Sequence, residues 1–180
     1  MNSQTKNIHH SSQNIAQVQA QLNRDVELEA MVKRLSSAGH PEPLYHMNFD
    51  GCSKGNPGLA GAGAVLFRDG VEIDNRMQAL GKKTNNQAEY AGLLLGLQLA
   101  VDHDVRRLEV RGDSQLIIKQ MRGEYKVSNT DLKPLYNLAR ELATNFDHID
   151  FMHVYRKDNV RADELSNEAL QEPINYRPTI

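Results

Sequence analysis

Four acidic residues stand where their carboxylates would be aimed at one point: Asp50, Glu89, Asp113 and Asp163. Asp50 closes the strand-like run Tyr45-His46-Met47-Asn48-Phe49 and precedes a glycine-rich stretch, Gly51-Cys52-Ser53-Lys54-Gly55-Asn56-Pro57-Gly58, that reads as a turn. Glu89 falls in the first turns of a long apolar-periodic helix, after Thr84-Asn85-Asn86-Gln87-Ala88. Asp113 ends a second strand, Arg107-Leu108-Glu109-Val110-Arg111-Gly112, and Asp163 comes early in the last helix, within Asn159-Val160-Arg161-Ala162-Asp163. Carboxylates at strand ends and helix starts gather at one edge of an α/β sheet. Clustered there they repel one another unless cations neutralise them, and hard oxygen ligands of this kind suit Mg²⁺ or Mn²⁺. For one such acid, capping or a surface ion pair is the plainer reading; for four together it is not.

The elements that must position these acids follow from hydrophobic periodicity. Strands are expected at Tyr45–Asp50, Ala62–Phe67 and Val71–Ala79, the last two joined by a hairpin turn at Arg68-Asp69-Gly70. A helix from Asn86 to Asp102 carries Tyr90, Leu93, Leu94, Leu97 and Val101 on one face. Then come a strand at Leu108–Gly112, a short helix at Ser114–Arg122 and an extended stretch at Tyr125–Thr130. A helix N-capped by Asp131 runs to Asn145, with Pro134 tolerated in its first turn. Strand five, Ile149–Tyr155, and a last helix, Val160–Leu170, complete the order βββαβααβα. A hairpin triplet followed by crossovers implies a mixed five-stranded sheet flanked by helices, an α/β domain over residues 44–172. Residues 1–43 form an N-terminal extension, polar and disordered over 1–13 and helical over about 15–37, and residues 173–180 are a tail.

At 180 residues the chain suits one ordinary domain plus an extension. Its 39% hydrophobic and 24% charged content indicates a globular protein, and no apolar run approaches the roughly 20 residues that span a bilayer. A single cysteine, Cys52, excludes an intramolecular disulfide and fits a reducing compartment, with the cytoplasm the expected location. Cys52 reads as a small, partly buried thiol. A net charge of −2 argues against a basic nucleic-acid coat protein. It leaves room for a nuclease, whose acids a metal site would absorb while Lys82, Lys83, Lys119, Arg122, Lys126, Lys133, Arg156, Lys157 and Arg161 face phosphates.

The runs FDGCSKGNPG, TNNQAEY, RGDSQLIIKQMRGEYKV and NVRADELSNEAL, in this order, closely resemble type 1 ribonuclease H, nearest to its compact archaeal and plant-like branch. The likeness covers residues 44–172 and includes four separate motifs. It implies the ribonuclease H-like fold and an endonuclease that hydrolyses the RNA strand of RNA–DNA hybrids by a two-metal-ion mechanism, leaving 5′-phosphate and 3′-hydroxyl ends. Two Mg²⁺ ions per site are implied, with Mn²⁺ as substitute. Asp50 would bridge them, Asp163 would complete the water side, and Glu89 and Asp113 the leaving-group side. Bacterial relatives have a histidine in the loop before the last acid. Here that loop is Arg156-Lys157-Asp158-Asn159, and Arg156 matches the arginine of the archaeal-like branch in the auxiliary catalytic role. His153 is expected to be structural.

By the same resemblance Asn56, Asn85 and Asn86 would meet RNA 2′-hydroxyls, Thr84 and Asn129 a DNA phosphate, and Tyr125 would line the DNA channel. Two family features are missing. Only Gly123–Thr130 stands where bacterial members insert a helix and basic loop, and residues 1–43 do not resemble the N-terminal hybrid-binding module of eukaryotic members. The expected partner is the RNA–DNA hybrid, and the sequence leaves open whether duplex RNA is cut as a side substrate. The expected state is a monomer, the N-terminal helix offering a surface for self-association. Two rivals share the fold: a non-catalytic hybrid- or RNA-binding module, which should have lost a carboxylate, and another polynucleotidyl enzyme such as a 3′-exonuclease.

Overall fold

Side-chain alternation in the first two strands sets the architecture. A computed structural model describes residues 42–171 and, before them, Gln19, Gln21, Asn23, Arg24, Val26, Glu27, Leu28, Glu29 and Met31, all helical. The segment 1–13, most of the helix expected over 15–37 and the tail 173–180 lie outside the described residues. The chain falls into two units, Met1–Glu42 and Pro43–Ile180. In the first, Val26, Leu28 and Met31 are exposed.

The second unit opens with three long antiparallel strands, β1 (Tyr45–Gly55), β2 (Gly58–Arg68) and β3 (Val71–Lys83). Strands β4 (Arg107–Gly112) and β5 (His148–His153) add in parallel on the far side of β1, giving the order β3-β2-β1-β4-β5. Four helices connect or follow them: α1 (Asn85–Asp102), α2 (Gln115–Met121), α3 (Lys133–Ala143) and α4 (Val160–Glu168). A single 3₁₀ turn, Arg156–Asp158, leads into α4. This is the mixed five-stranded sheet with flanking helices expected from the sequence.

Register divides the sheet into two faces. Phe49 pairs with Ala64 and Met47 with Leu66, and these four join Leu93 and Leu97 of α1, Ile117 of α2 and Phe151 of β5 in the main core. The alternate residues look the other way: Val65 packs with Ala162 and Leu165 of α4 in a smaller cluster that Phe67 borders. Each fully buried Leu or Phe contributes about 1.5–3 kcal/mol, so the α1 side supplies most of the apolar stabilisation. Helix α4 is held by fewer apolar side chains and by polar contacts that converge on the acidic cluster.

Local chemistry sets the boundaries. Asp69 and Gly70 both adopt positive φ (52° and 81°) in a two-residue hairpin loop, as the Asp-Gly signal requires. Thr84 and Gln87 form a reciprocal capping box at the start of α1. Several boundaries differ from expectation: β2 begins at Gly58 rather than Ala62, β3 runs on to Lys83 rather than stopping at Ala79, and β5 ends at His153 rather than Tyr155. Strand β1 does not stop at Asp50: Gly51–Lys54 pair with Leu59–Ala62, and only Asn56 and Pro57 make the turn. The glycines at 51, 61 and 63 are places where helices press on the sheet. Asp131 does not cap α3, whose N-cap is Leu132 without a side-chain bond; instead Asn129 Oδ1 accepts the backbone N–H groups of Asp131 (2.8 Å) and Leu132 (3.2 Å). Asn129 thereby satisfies donors just before the helix, by the local side-chain chemistry asparagine favours in turns.

Candidate functional site

Two glycines bring α1 against β1 closely enough to set Glu89 beside Asp50. A Cβ on Gly51 would lie 2.2 Å from the Glu89 nitrogen, and one on Gly92 would lie 2.3 Å from the Asp50 carbonyl oxygen. No other residue leaves that space. Parallel pairing of β1 with β4 puts Phe49 opposite Gly112, so the next residues in each strand, Asp50 and Asp113, emerge side by side. One carboxylate oxygen from each of Asp50, Glu89 and Asp113 lies within 4.8 Å of the others.

The cluster is costly to charge. Asp50 is 5% exposed and Glu89 7%. Burial, first, and then repulsion from Asp50 and Asp113 push the Glu89 carboxyl well above its ordinary range; the Gly51 N–H and the Arg156 guanidinium oppose the rise only in part. Burial also raises Asp50, against the hydrogen bond from Ser166, with Asp113 and Asp163 adding repulsion. Glu89 Oε2 is buried and has no hydrogen-bond partner among the described residues. An orphaned carboxylate oxygen inside a triad of hard donors is the environment a divalent cation relieves, so the residues fit such an ion.

Asp163, in the first turn of α4, stands outside this triad. Its Oδ1 accepts from Arg156 Nη2 at 2.6 Å, and its side chain is 28% exposed. Arg156 sits on the 3₁₀ turn with its side chain 77% exposed, near enough to Asp50 and Glu89 to favour their charged forms. Thus the structure brings three of the four expected acids into one cluster and pairs the fourth with the expected auxiliary arginine.

Of the expected substrate contacts, Asn56, Thr84, Asn86 and Asn129 line one cleft of about 230 Å³, together with Gln87, Asp131 and Leu132. Three of them also hold backbone. Asn56 Oδ1 accepts from the Asn85 N–H (3.1 Å), Thr84 caps α1, and Asn129 braces the approach to α3. Tyr125 lies apart from these, in a cleft with Lys126, Lys133 and Tyr136, and its ring has the Lys119 ammonium 4.9 Å from its centroid. Arg122 and Arg161 from the expected basic set are engaged within the protein, Arg122 with the Phe151 carbonyl and Glu124, Arg161 with Glu72 and Glu164. His153 lies at the end of β5 with Nε2 3.2 Å from the Asp113 carbonyl oxygen.

Three polar residues that sequence reasoning passed over complete the site. Asn159 is 1% exposed; its Nδ2 donates to the Phe49 carbonyl (2.9 Å) and to Asp113 Oδ1 (3.3 Å), while its Oδ1 accepts from Asn48 Nδ2 (2.9 Å). Ser166, fully buried on α4, donates to Asp50 Oδ2. Asn159 and Ser166 both lie in the run that supplies Asp163, but no local pattern announced that they would reach strands more than a hundred residues away.

Comparison with known proteins agrees with this fold. A family model described as reverse transcriptase-like matches residues 48–169. The chain is 45% identical over 128 residues to a ribonuclease HI of Halobacterium salinarum, covering 71% of this chain and 64% of that protein. It is 43% identical over 123 residues to a bifunctional protein of Mycobacterium tuberculosis, covering 67% of this chain and 34% of that one. The chain therefore spans less than two thirds of these curated relatives. The crystal structure of the Halobacterium RNase H1 superposes with a TM-score of 0.69, covering 72% of this chain and 98% of that chain. LC11-RNase H1, solved in complex with an RNA/DNA hybrid, superposes at 0.67 with 36% identity, covering 71% and 96%.

Proposed function

The chain belongs to the type 1 ribonuclease H family, and from that membership we propose that it is an endonuclease hydrolysing the RNA strand of RNA–DNA hybrids. The observation that carries the proposal is the clustered triad Asp50, Glu89 and Asp113, the first two buried, with a Glu89 oxygen that has no partner among the described residues, on a fold that a relative uses to bind a hybrid. Two divalent ions, Mg²⁺ with Mn²⁺ as substitute, would be held by these three residues with Asp163 as a fourth ligand. They would supply the Lewis acidity that eases both formation of the attacking nucleophile and departure of the 3′-oxygen.

The chain's own residues do the rest. The triad keeps its carboxylates close, with Asp50 and Glu89 buried, so cations entering it meet ligands partly shielded from water. Arg156 holds Asp163 and offers a fixed positive charge at the mouth of the site; a guanidinium does not titrate near neutrality, so its role is to bind and orient phosphate rather than to shuttle protons. Asn56, Asn85 and Asn86 would read 2′-hydroxyls, since amides both donate and accept whatever the base. Thr84 and Asn129, on the same cleft as Asn56 and Asn86, would take a DNA phosphate, and Tyr125 would stack against the DNA strand. Products would carry 5′-phosphate and 3′-hydroxyl ends.

A panel of hybrid, duplex RNA, duplex DNA and single-stranded RNA, each with Mg²⁺, tests the proposal. Cutting of the hybrid's RNA strand at internal positions supports it. Release of single nucleotides from a 3′-end favours the exonuclease, and tight hybrid binding with no cutting favours a binding module. The duplex-RNA arm decides whether that substrate belongs to the activity, and solution mass decides whether the chain self-associates.

A further inference from the structure

We infer that Ser166 is a positioning residue for the acidic cluster: it fixes the Asp50 carboxylate beside Glu89 and Asp113. Among the described residues, Ser166 is the only side chain hydrogen-bonded to Asp50. The bond depends on how closely α4 lies on β2. Asp50 pairs with Gly63 and Cys52 with Gly61. A Cβ on Gly63 would stand 2.6 Å from the Ser166 nitrogen, and one on Gly61 would stand 2.3 Å from its carbonyl oxygen. That carbonyl also accepts from Cys52 Sγ at 3.2 Å. Two glycines and one thiol thus seat the Ser166 backbone, and its hydroxyl is delivered to Asp50.

The hydroxyl has one proton and two acceptors in reach, Asp50 Oδ2 and, at 3.0 Å, the Asp163 carbonyl oxygen on its own helix. A carboxylate is the stronger acceptor, and the contact to it is the shorter, so the proton goes to Asp50. The Asp163 carbonyl accepts from Asn167 Nδ2 at 2.8 Å instead. Torsion about the bond to a carboxylate is soft, with broad wells. Without Ser166, therefore, Asp50 could turn within a site that its like-charged neighbours already disfavour, and the pocket would lose part of its preorganisation for a cation.

This inference rests on the reading that Asp50 is a metal ligand, and it is tested by binding Mn²⁺ alone to the full chain, calorimetrically, without substrate. Ser166→Ala should bind Mn²⁺ about tenfold more weakly, as loss of a hydrogen bond behind a ligand typically does. In hybrid assays, its lowered kcat should recover at high metal concentration while KM for the hybrid stays within about twofold. Leu165→Ala, one residue away in the apolar contact with β2, should lower Tm and leave Mn²⁺ affinity unchanged; that separates positioning from mere loosening of α4. If Ser166→Ala does not fold, Ser166→Cys, which replaces a strong donor by a weak one, must show the weakening. Wild-type affinity in the Ser166 variant, or equal weakening by Leu165→Ala, overturns the inference. Failure of the wild-type chain to bind Mn²⁺ at all overturns the metal reading beneath it.

Discussion

Arg156 Nη2 lies 2.6 Å from Asp163 Oδ1, so the fourth acid of the site already has an internal cation. The pair raises the Arg156 pKa, through the hydrogen bond and charge of Asp163, and it spans the 3₁₀ turn and the first turn of α4. A divalent ion that uses Asp163 must share it with, or take it from, this guanidinium. Arg156→Ala should therefore tighten apparent metal binding by severalfold, on the order of the ~1 kcal/mol of an exposed ion pair, while kcat falls about tenfold for want of a charge near the departing phosphate. Metal titrations of hybrid cleavage separate the two effects, and unchanged values for both would remove Arg156 from the site.

The raised Glu89 carboxyl makes the metal-free protein sensitive to alkali. The folded state keeps the Glu89 proton at pH values where the unfolded chain, with an ordinary pKa of 4.5, has lost it. In that window the folded state binds more protons, so stability falls as pH rises from about 4.5 through the folded pKa and then levels. Glu89→Gln removes the penalty. In EDTA its Tm should exceed wild type at pH 8 by several degrees, at about 2–4 °C per kcal/mol, and match it near pH 4. Saturating Mg²⁺ should close the gap by stabilising wild type alone.

Asn159→Ala should cost about 2–4 kcal/mol of stability, because it removes buried hydrogen bonds to the Phe49 carbonyl and from Asn48, which keeps only the 3.4 Å contact to the Asp158 carbonyl, as well as freeing Asp113. Asn159→Asp would add a fifth carboxylate in contact with Asp113. It should abolish cleavage at neutral pH even where circular dichroism shows a folded chain.

Gly92→Ala places a methyl 2.3 Å from the Asp50 carbonyl, and α1 must lift away. Overpacking of this kind costs typically about 1–3 kcal/mol. Because the same helix carries Glu89, the variant should also raise the metal concentration needed for half-maximal cleavage. A comparable Gly→Ala change at Gly81, where nothing lies within 4 Å but φ is +67°, should lower Tm without that shift in metal requirement.

The three clustered acids were legible in the sequence because each is tied to a strongly patterned element. Asp50 and Asp113 follow apolar alternation, and Glu89 falls in the first turns of an apolar-periodic helix. The element order and the mixed five-stranded sheet were legible for the same reason. Gly51 was not: a glycine in a run of small residues reads locally as a turn, and only the approach of Ala88 and Glu89 from a distant helix makes it a contact point in a continuing strand. Ser166 and Asn159 were invisible as site residues, since each meets its carboxylate across 116 and 46 positions of chain and no periodicity encodes such a pairing. Asn129 was read for a ligand phosphate, and the structure adds a local duty: it holds backbone donors ahead of α3.

The central claim is that the Asp50–Glu89–Asp113 cluster works as a cation-loaded centre for cutting RNA in a hybrid. The most direct test is the initial rate of RNA-strand cleavage in a labelled hybrid, titrated with Mg²⁺, for wild type and Asp50→Asn, with hybrid affinity measured alongside. The account predicts cleavage by wild type that requires the metal, and for Asp50→Asn a rate lower by about a thousandfold or more, some 4 kcal/mol of barrier, at hybrid affinity within about threefold. Cleavage by wild type in EDTA, or an Asp50→Asn rate within about tenfold of wild type, would contradict it.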